Sequence, residues 1–216
     1  MTKLGDAPIG LAMTGASGAQ YGLRLLEQLL RAGRPVDLML SKPGQLVVSM
    51  ETELKVPGRP AEMQRFFAEL YGAADGQLRV FGREEWTAPP ASGSNASSAM
   101  VICPCTTATV SAVATGASRS LIERAADVII KERRPLILVV RETPLSVIHL
   151  ENLLTLARAG AVVLPANPGF YHRPDTVQDV VDFVVARILD HLGLDNNLVP
   201  RWGDDTPGTD DTAGRA

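Results

Sequence analysis

The sequence predicts an α/β fold of the doubly wound, Rossmann or flavodoxin-like class, in which helices cover both faces of a parallel sheet. Short apolar runs recur along the 216 residues, each long enough for one strand. Between these runs lie longer stretches whose apolar residues have helical spacing. Strands that are apolar on both faces and alternate with amphipathic helices are typical of a parallel sheet that is covered on both sides.

Five strands and the helices between them follow from these patterns. The strands are predicted at residues 8–13, 36–40, 99–104, 136–140 and 161–165. The stripe of Tyr21, Leu25 and Leu29 predicts the first helix, and Gly33 follows where a helix commonly ends on glycine. The same spacing predicts helices within residues 44–52, 121–129, 150–157 and 177–188.

Residues 1–203 are predicted to form a single domain, since 45% hydrophobic content supports one core of this size. Residues 86–98 are rich in proline, glycine and serine and predict a long loop before the central strand. The segment 204–216 has almost no apolar residues and four aspartates, so we expect a disordered acidic tail.

The composition argues against several functional classes. A net charge of −3 and a pI near 5.6 are not those expected of a nucleic-acid binder. No apolar run is long enough to cross a bilayer, and we expect a cytoplasmic protein. Cys103 and Cys105 are expected to be small core residues in a reducing compartment. The three histidines do not have metal-ligand spacing, so no metal site is predicted.

The turn Gly15–Gly18 after the first strand is the first candidate binding element. Its small residues would let a ligand approach the backbone, and the following helix N-terminus favours a negative group such as phosphate. The alternative is a tight turn capped by Ser17. Further hydroxyl residues follow the second and third predicted strands, and suggest a phosphorylated cofactor or simple helix caps: Ser41, Thr106, Thr107 and Thr109.

Charged residues follow the strand at 136–140. Arg141 and Glu142 continue it directly, and buried charges there need partners such as a bound phosphate. Arg124 and Lys131 are seven residues apart and share a helix face. The alternative is a salt-bridge network among these four residues. Glu142 is a candidate general acid or base, and Glu51 is a weaker one that is more often a solvated helix end.

A proline-rich loop, residues 165–176, follows the last predicted strand and displays Phe170, Tyr171, His172 and Arg173. Three prolines and a glycine stiffen it, and aromatic side chains at the ligand edge of a sheet predict a lid. Arg187, on the helix that follows, is either part of this site or an ordinary exposed charge.

With these segments together, the chain resembles the flavin prenyltransferases of the UbiX and Pad1 family. The resemblance runs over about residues 8–203 and is carried by "MTGASGAQYGLRLLE", "MVICPCTTATVSAVATG", "RETPLS", "PANPGFYHRP" and "LVPRWG". Members of that family join a dimethylallyl group from dimethylallyl monophosphate to N5 and C6 of reduced FMN. Their product is the cofactor of UbiD-type decarboxylases, and they commonly assemble as dodecamers with active sites at subunit contacts.

The resemblance also implies roles for individual residues. The FMN contacts would be Gly15, Ala16, Ser17, Ser41, Thr106, Thr107, Ala108, Thr109 and Arg141. Tyr171 and Arg187 match positions that hold the prenyl phosphate from a neighbouring subunit. Further active-site positions are matched by Arg124, Lys131, Glu142, Glu51, Trp86 and Trp202. The family usually has serine where this chain has Thr106, which keeps the hydroxyl and adds a methyl group.

A mechanism compatible with this resemblance follows from charge. Loss of phosphate from an allylic carbon leaves a cation and an anion, so fixed positive charge near the phosphate lowers the barrier. Arg141, Lys131 and Arg187 would supply this charge, and Trp86 and Trp202 would offer π faces to the allylic cation. We expect no metal requirement. The alternatives are a flavin-dependent decarboxylase of the cysteine-decarboxylase type and an FMN carrier without chemistry.

Overall fold

The computed structural model of the chain, which describes residues 5–201, contains a six-stranded, all-parallel sheet. In chain order its strands are β1 (Ile9–Met13), β2 (Val36–Leu40), β3 (Leu78–Phe81), β4 (Ala99–Cys105), β5 (Leu136–Val140) and β6 (Val162–Pro165). Their order across the sheet is β3-β2-β1-β4-β5-β6. The predicted doubly wound α/β class is confirmed.

Seven α-helices flank the sheet within residues 5–201, six between strands and one after β6. They are α1 (Ala19–Arg31), α2 (Lys42–Glu51), α3 (Pro60–Tyr71), α4 (Thr107–Ala114), α5 (Leu121–Lys131), α6 (Val147–Arg158) and α7 (Val177–His191). Gly33 follows α1 with a φ of 70°, the left-handed conformation for which its position was predicted.

The helices form two layers, each with its own apolar core. One cluster joins the sheet to α1, α3 and α7, and Phe67 of α3 is among its fully buried side chains. The other joins the opposite face to α4 and α5, with Leu156 of α6. Burial of β1, β2, β4 and β5 on both faces explains their apolar sequences. The exception is Asp37 of β2, which pairs with Arg79 of β3 at 2.8 Å.

The chain reverses its direction across the sheet between β1 and β4, which are neighbours. From β1 the chain proceeds outward to β2 and β3, and from β4 it proceeds the other way to β5 and β6. The loops after β1 and β4 therefore separate and leave a crevice at the carboxyl edge. Such switch points are where open α/β sheets bind ligands.

The structure corrects the sequence prediction at one edge of the sheet. Strand β3, which was not predicted, pairs in parallel with β2, and its burial alternates because it lies at the edge. Helices α3 and α4 were also missed. The predicted loop 86–98 is present and includes two single 3₁₀ turns, Pro89–Ala91 and Gly93–Asn95.

Two sequence predictions concern residues outside the described range. Trp202 and the predicted tail 204–216 both lie beyond residue 201. Within residues 5–201, no helix is both long and apolar enough to cross a membrane.

Candidate active site

The turn after β1 places the N-terminus of α1 against the last residue of α2. Gly18 is the N-cap of α1 with a φ of 104°, and it provides no side-chain cap. The carboxylate of Glu51 takes that role, because its Oε2 accepts hydrogen bonds from the N–H groups of Gly18 at 2.9 Å and Ala19 at 2.8 Å. The alternative of a turn capped by Ser17 is therefore wrong, and Glu51 is not a solvated helix end.

This contact changes the interpretation of the turn. Two N–H groups that the sequence offered to a phosphate already bind a carboxylate. Burial disfavours the charge of Glu51, but hydrogen bonds from the Ser17 hydroxyl and from Ala19 and Gly18, with the positive charge of Arg141, lower the pKa of Glu51 below its usual value. Glu51 is therefore an ionised group that lies directly beside the turn.

Arg141 and Glu142 lie at the carboxyl end of β5, as predicted, and each contacts a neighbouring loop. The Nε of Arg141 donates to the backbone oxygen of Ser17 at 3.3 Å. The Oγ1 of Thr107 donates to Oε2 of Glu142 at 3.2 Å. The turn after β1, the start of α4 and the end of β5 are thus joined through these two side chains.

A cavity of about 390 Å³ lies between Gly15 of the turn and the starts of α2 and α4. Three helices begin at it, and the three N-cap residues Ser41, Thr106 and Ser120 all line it. Each hydroxyl oxygen accepts from a backbone N–H of its own helix, at 3.0, 3.1 and 3.3 Å. The alternative that Ser41 and Thr106 cap their helices is confirmed. The positive ends of three helix dipoles converge on one cavity, which favours a bound anion.

Two cations that sequence analysis did not single out also line this cavity, Lys42 and Arg83. Lys42 is the first residue of α2, and the signal for it was its position next to Ser41. Arg83 follows β3, so it was missed because that strand was missed. Its backbone oxygen accepts from the N–H of Leu121 at 2.8 Å, which fixes this loop against the start of α5.

The residues around the cavity fit an FMN molecule. Gly15 lines it, and a Cβ at this position would lie 2.4 Å from Cβ of Pro43, so only glycine allows the turn to approach α2 this closely. Hydroxyl groups of Thr106 and Thr109, 2.9 Å apart, face it beside apolar side chains such as Phe81. Polar donors for a phosphoryl group and apolar walls for a ring system are the features that such a ligand requires.

A second concavity, of about 350 Å³, lies on the side of the turn that faces α7. Its polar lining includes Ser17, Glu51 and Arg141, and its apolar wall includes Val177 and Val181 of α7. The turn therefore separates two concavities, with Gly15 facing one and Ser17 facing the other. This arrangement offers places for two different ligands at one sheet edge.

Arg124 and Lys131 do not join this group within one chain. Arg124 pairs with Asp127 at 2.8 Å, and Lys131 pairs with Glu132. Lys131 ends α5 just before β5 starts, so it lies at the amino edge of the sheet, opposite Arg141. A larger concavity at that edge, of about 870 Å³, contains none of the predicted site residues. The alternative of a salt-bridge network with Arg141 and Glu142 is wrong.

Tyr171 and Arg187 line a third concavity, of about 400 Å³, together with His172 and Arg201. Arg187 lies ten residues along α7 from Val177, a rise of about 15 Å, so it is remote from Ser17 in the same chain. Trp86 is 48% exposed in the loop after β3, at the carboxyl edge. The predicted site residues are thus divided among separate surfaces of one chain.

Cys103 and Cys105 are fully buried in β4, which confirms them as core residues, and burial raises the pKa of both thiols. Among residues 5–201 there is no group of three or more histidine, cysteine, aspartate or glutamate side chains placed to hold a metal ion.

Comparisons with known proteins agree with this architecture. A family model described as Flavoprotein matches residues 1–189. The chain is 62% identical over 200 residues to the flavin prenyltransferase UbiX of Pseudomonas aeruginosa, covering 93% of this chain and 96% of that protein.

Two solved structures show the same fold. The crystal structure of AnUbiX (PadA1) in complex with FMN and dimethylallyl pyrophosphate has a TM-score of 0.80 and 38% identity, covering 91% of this chain and 97% of that one. A dodecameric FMN-dependent UbiX-like decarboxylase from Escherichia coli O157:H7 also has a TM-score of 0.80 and 38% identity, with coverage of 90% and 98%. The sheet, the crevice at its switch point and these similarities lead to one conclusion: this chain belongs to the flavin prenyltransferase family.

Proposed function

We propose that this protein joins a dimethylallyl group from dimethylallyl monophosphate to N5 and C6 of reduced FMN. The observation that carries the proposal is the pair of concavities on the two sides of the turn at residues 15–18. One is built to hold a phosphorylated cofactor, and the other presents Arg141, Ser17 and Glu51 to a second ligand. An FMN carrier would need only the first of these concavities.

The cofactor cavity holds FMN through its phosphate. The starts of α2, α4 and α5 provide the positive ends of their dipoles, and Lys42 and Arg83 provide full charges. The Ser41 hydroxyl accepts from a backbone N–H and remains able to donate to a phosphate oxygen. The hydroxyls of Thr106 and Thr109 are hydrogen-bonded to each other, so one of the two remains able to donate to the phosphate. Reduced FMN supplies the two atoms, N5 and C6, that become bonded to the five-carbon group.

The second concavity handles the prenyl ester. The bond between the allylic carbon and the phosphate oxygen breaks, and the phosphate leaves with the electron pair. Arg141, held against the Ser17 backbone oxygen, stabilises the leaving phosphate. Trp86 at the same edge offers its ring to the allylic cation. Closure by neighbouring copies excludes water, which would otherwise react with that cation.

Two carboxylates serve proton transfer and positioning. The bond to N5 replaces an N–H bond, and the departing phosphate takes that proton. The bond to C6 uses the remaining double bond of the five-carbon group, so the neighbouring alkene carbon must gain a proton and C6 must lose one. We assign both of these proton transfers to Glu142 beside Thr107. Glu51 remains ionised and holds the turn in place through Gly18 and Ala19. Its charge also fixes the position of the Ser17 hydroxyl, which donates to it.

The site is completed by other copies of the chain. Some of the proposed site residues can reach a prenyl phosphate only from a neighbouring subunit. They are Lys131 and Arg124 of α5, and Tyr171 and Arg187 at the third concavity. The exposed apolar face of α6 supports assembly, since Val147, Leu150 and Leu154 are at least half exposed. We therefore propose a homo-oligomer, a dodecamer like the Escherichia coli neighbour. The product passes to a UbiD-type decarboxylase.

The alternative of a cysteine-decarboxylase-type enzyme is not favoured. The 62% identical relative is a flavin prenyltransferase, and the chain has "PANPGFYHRP" in the loop after β6 with no histidine before His149. No residue in the described site therefore matches the histidine expected of that decarboxylase class.

The test is a reaction of the purified protein with FMN, kept reduced without oxygen, and dimethylallyl monophosphate. We expect mass spectrometry to find a flavin heavier by one five-carbon unit. A second arm uses dimethylallyl pyrophosphate, the compound in the AnUbiX complex. Recovery of unmodified flavin in both arms would contradict the proposal and favour an FMN carrier.

A further inference from the structure

Asp37 of β2 is a carboxylate buried within the sheet, with 1% of its side chain exposed. Its register partner on the edge strand β3 is Arg79. The Nε and Nη2 atoms of Arg79 donate to the two carboxylate oxygens at 2.8 and 2.9 Å. An ion pair that is removed from water contributes little net stability, because its desolvation offsets its attraction. The stability of the sheet alone therefore does not account for this pair.

The pair fixes how the edge strand lies on its neighbour. Strand β3 has four residues and pairs with β2 alone. A bidentate contact between a guanidinium and a carboxylate requires one geometry, so it favours the register in which Asp37 lies opposite Arg79. A slip of one residue would turn the side chains of β3 to the other face of the sheet. The observed register places Phe81 opposite Met39, on the face that packs against α4 and α5.

The guanidinium of Arg79 also lies against the ring of Phe81. Its Cζ is 5.5 Å from the ring centroid, which is a cation–π contact. Phe81 is partly buried, packs on the apolar cluster of this face and lines the cavity of about 390 Å³ beside Gly15. Arg79 is not among the described residues that line this cavity. Any effect of Arg79 on a ligand in the cavity must therefore pass through Phe81.

We propose that Arg79 is a positioning residue for FMN: Asp37 orients its guanidinium, which holds the Phe81 ring as a wall of the cofactor cavity. A ring that is held in one orientation before the cofactor arrives loses little conformational freedom on binding, so FMN binds more tightly. The inference rests on the proposed function, because it takes the cavity at Phe81 to be the one that holds FMN.

The test removes the ion pair and asks whether the effect passes through Phe81. Asp37→Ala/Arg79→Met removes both charges together, so no buried charge is left unpaired and the midpoint of urea denaturation should change little. We expect the Kd for FMN, measured by flavin fluorescence, to rise about five-fold, the effect of losing one cation–π contact. In a Phe81→Leu background, which has no ring to hold, the same double substitution should change the Kd less than about two-fold. Arg79→Lys keeps a cation without the planar fork and should lose only part of the affinity.

The matched control is Arg31→Met, which removes an exposed guanidinium paired with Glu27 at 2.7 Å and should leave the Kd unchanged. An equal loss of FMN affinity with and without the Phe81 ring would overturn the proposal, as would a wild-type Kd in Asp37→Ala/Arg79→Met. If the double variant does not fold, Arg79→Lys in both backgrounds decides in the same way. These measurements need no turnover, so a wild-type protein that binds FMN but forms no prenylated flavin would instead contradict the proposed function.

Discussion

The two regions that we propose to bind anions are built from different chemical groups. In the cavity beside the turn after β1, the donors are N-cap hydroxyls and the N-termini of α2, α4 and α5, which the sheet holds in place. On the outer side of α7, the donors are long side chains such as Arg187 and Arg201, which share Asp190. Backbone donors lose little conformational freedom on binding, whereas arginine side chains lose more.

The first region depends on the fold of one chain, whereas the function proposed for the second region depends on assembly. The first region is complete within one chain and suits a cofactor that must bind in one orientation. The second region faces away from the crevice, so in the proposed assembly it would complete an active site together with the crevice of another copy. The ion pair between Arg24 of α1 and Asp182 of α7 connects the two regions, with a bidentate contact at 2.7 and 3.0 Å.

Asp182→Ala should produce the largest effect, because it breaks this partly buried pair. Arg24 keeps Glu27 at 2.8 Å but loses its bidentate partner. We expect the free energy of unfolding to fall by about 3 kcal/mol, measured by urea denaturation. Since α1 stays fixed by the sheet while α7 loses this tether, the KM for the prenyl ester should rise with little change in FMN affinity.

Asp175→Ala is the matched control for this prediction. Asp175 is exposed near the start of α7, and its substitution should change stability by less than about 0.5 kcal/mol. Weaker FMN binding with an unchanged KM in Asp182→Ala would show that the pair supports the first region and not the second.

The same division explains what could be predicted from sequence. The buried strands were found because apolar residues on both faces leave a continuous signal, whereas the edge strand β3 alternates and carries Arg79. The turn at residues 15–18 was found because small residues between a strand and a helix are a local pattern. The Glu51 contact was not, because it joins residues 33 apart and depends on the packing of α2 against α1.

The division of the candidate site also could not be read from sequence. Arg141 and Lys131 are ten residues apart, and only the direction of α5 relative to β5 places them at opposite edges of the sheet. Arg83 was not predicted as a site residue because it follows β3, and that strand was itself not predicted from the sequence.

Gly15→Ala tests the first region directly. The added Cβ would lie 2.4 Å from Cβ of Pro43, so the start of α2 must move. We expect a loss of about 2 kcal/mol in stability from overpacking and an FMN affinity at least about ten-fold weaker, measured by flavin fluorescence. Gly58→Ala is the control, since no heavy atom lies within 4 Å of a Cβ built there. Wild-type FMN affinity in Gly15→Ala would mean that the close approach to α2 is not needed for the cofactor.

Glu51→Gln should have the smallest effect on stability, and its effect should depend on pH. The amide keeps one acceptor oxygen but loses the charge that the N–H groups of Gly18 and Ala19 stabilise, so we expect a loss of about 1 kcal/mol at pH 7. Because folding lowers the pKa of Glu51, the ionised carboxylate stabilises the fold above the usual glutamate pKa of about 4.3. That contribution is lost as the pH falls through the lower pKa of the folded state.

The stability difference between the wild-type protein and Glu51→Gln should therefore narrow below about pH 4, measured by thermal denaturation across pH. Glu53→Gln, two residues later and exposed, is the control and should show no such narrowing. A difference that stays constant down to pH 3 would mean that the carboxylate acts through its shape alone. In that case the charge of Glu51 would not be needed to hold the turn in place, and the turn would depend on hydrogen-bond geometry alone.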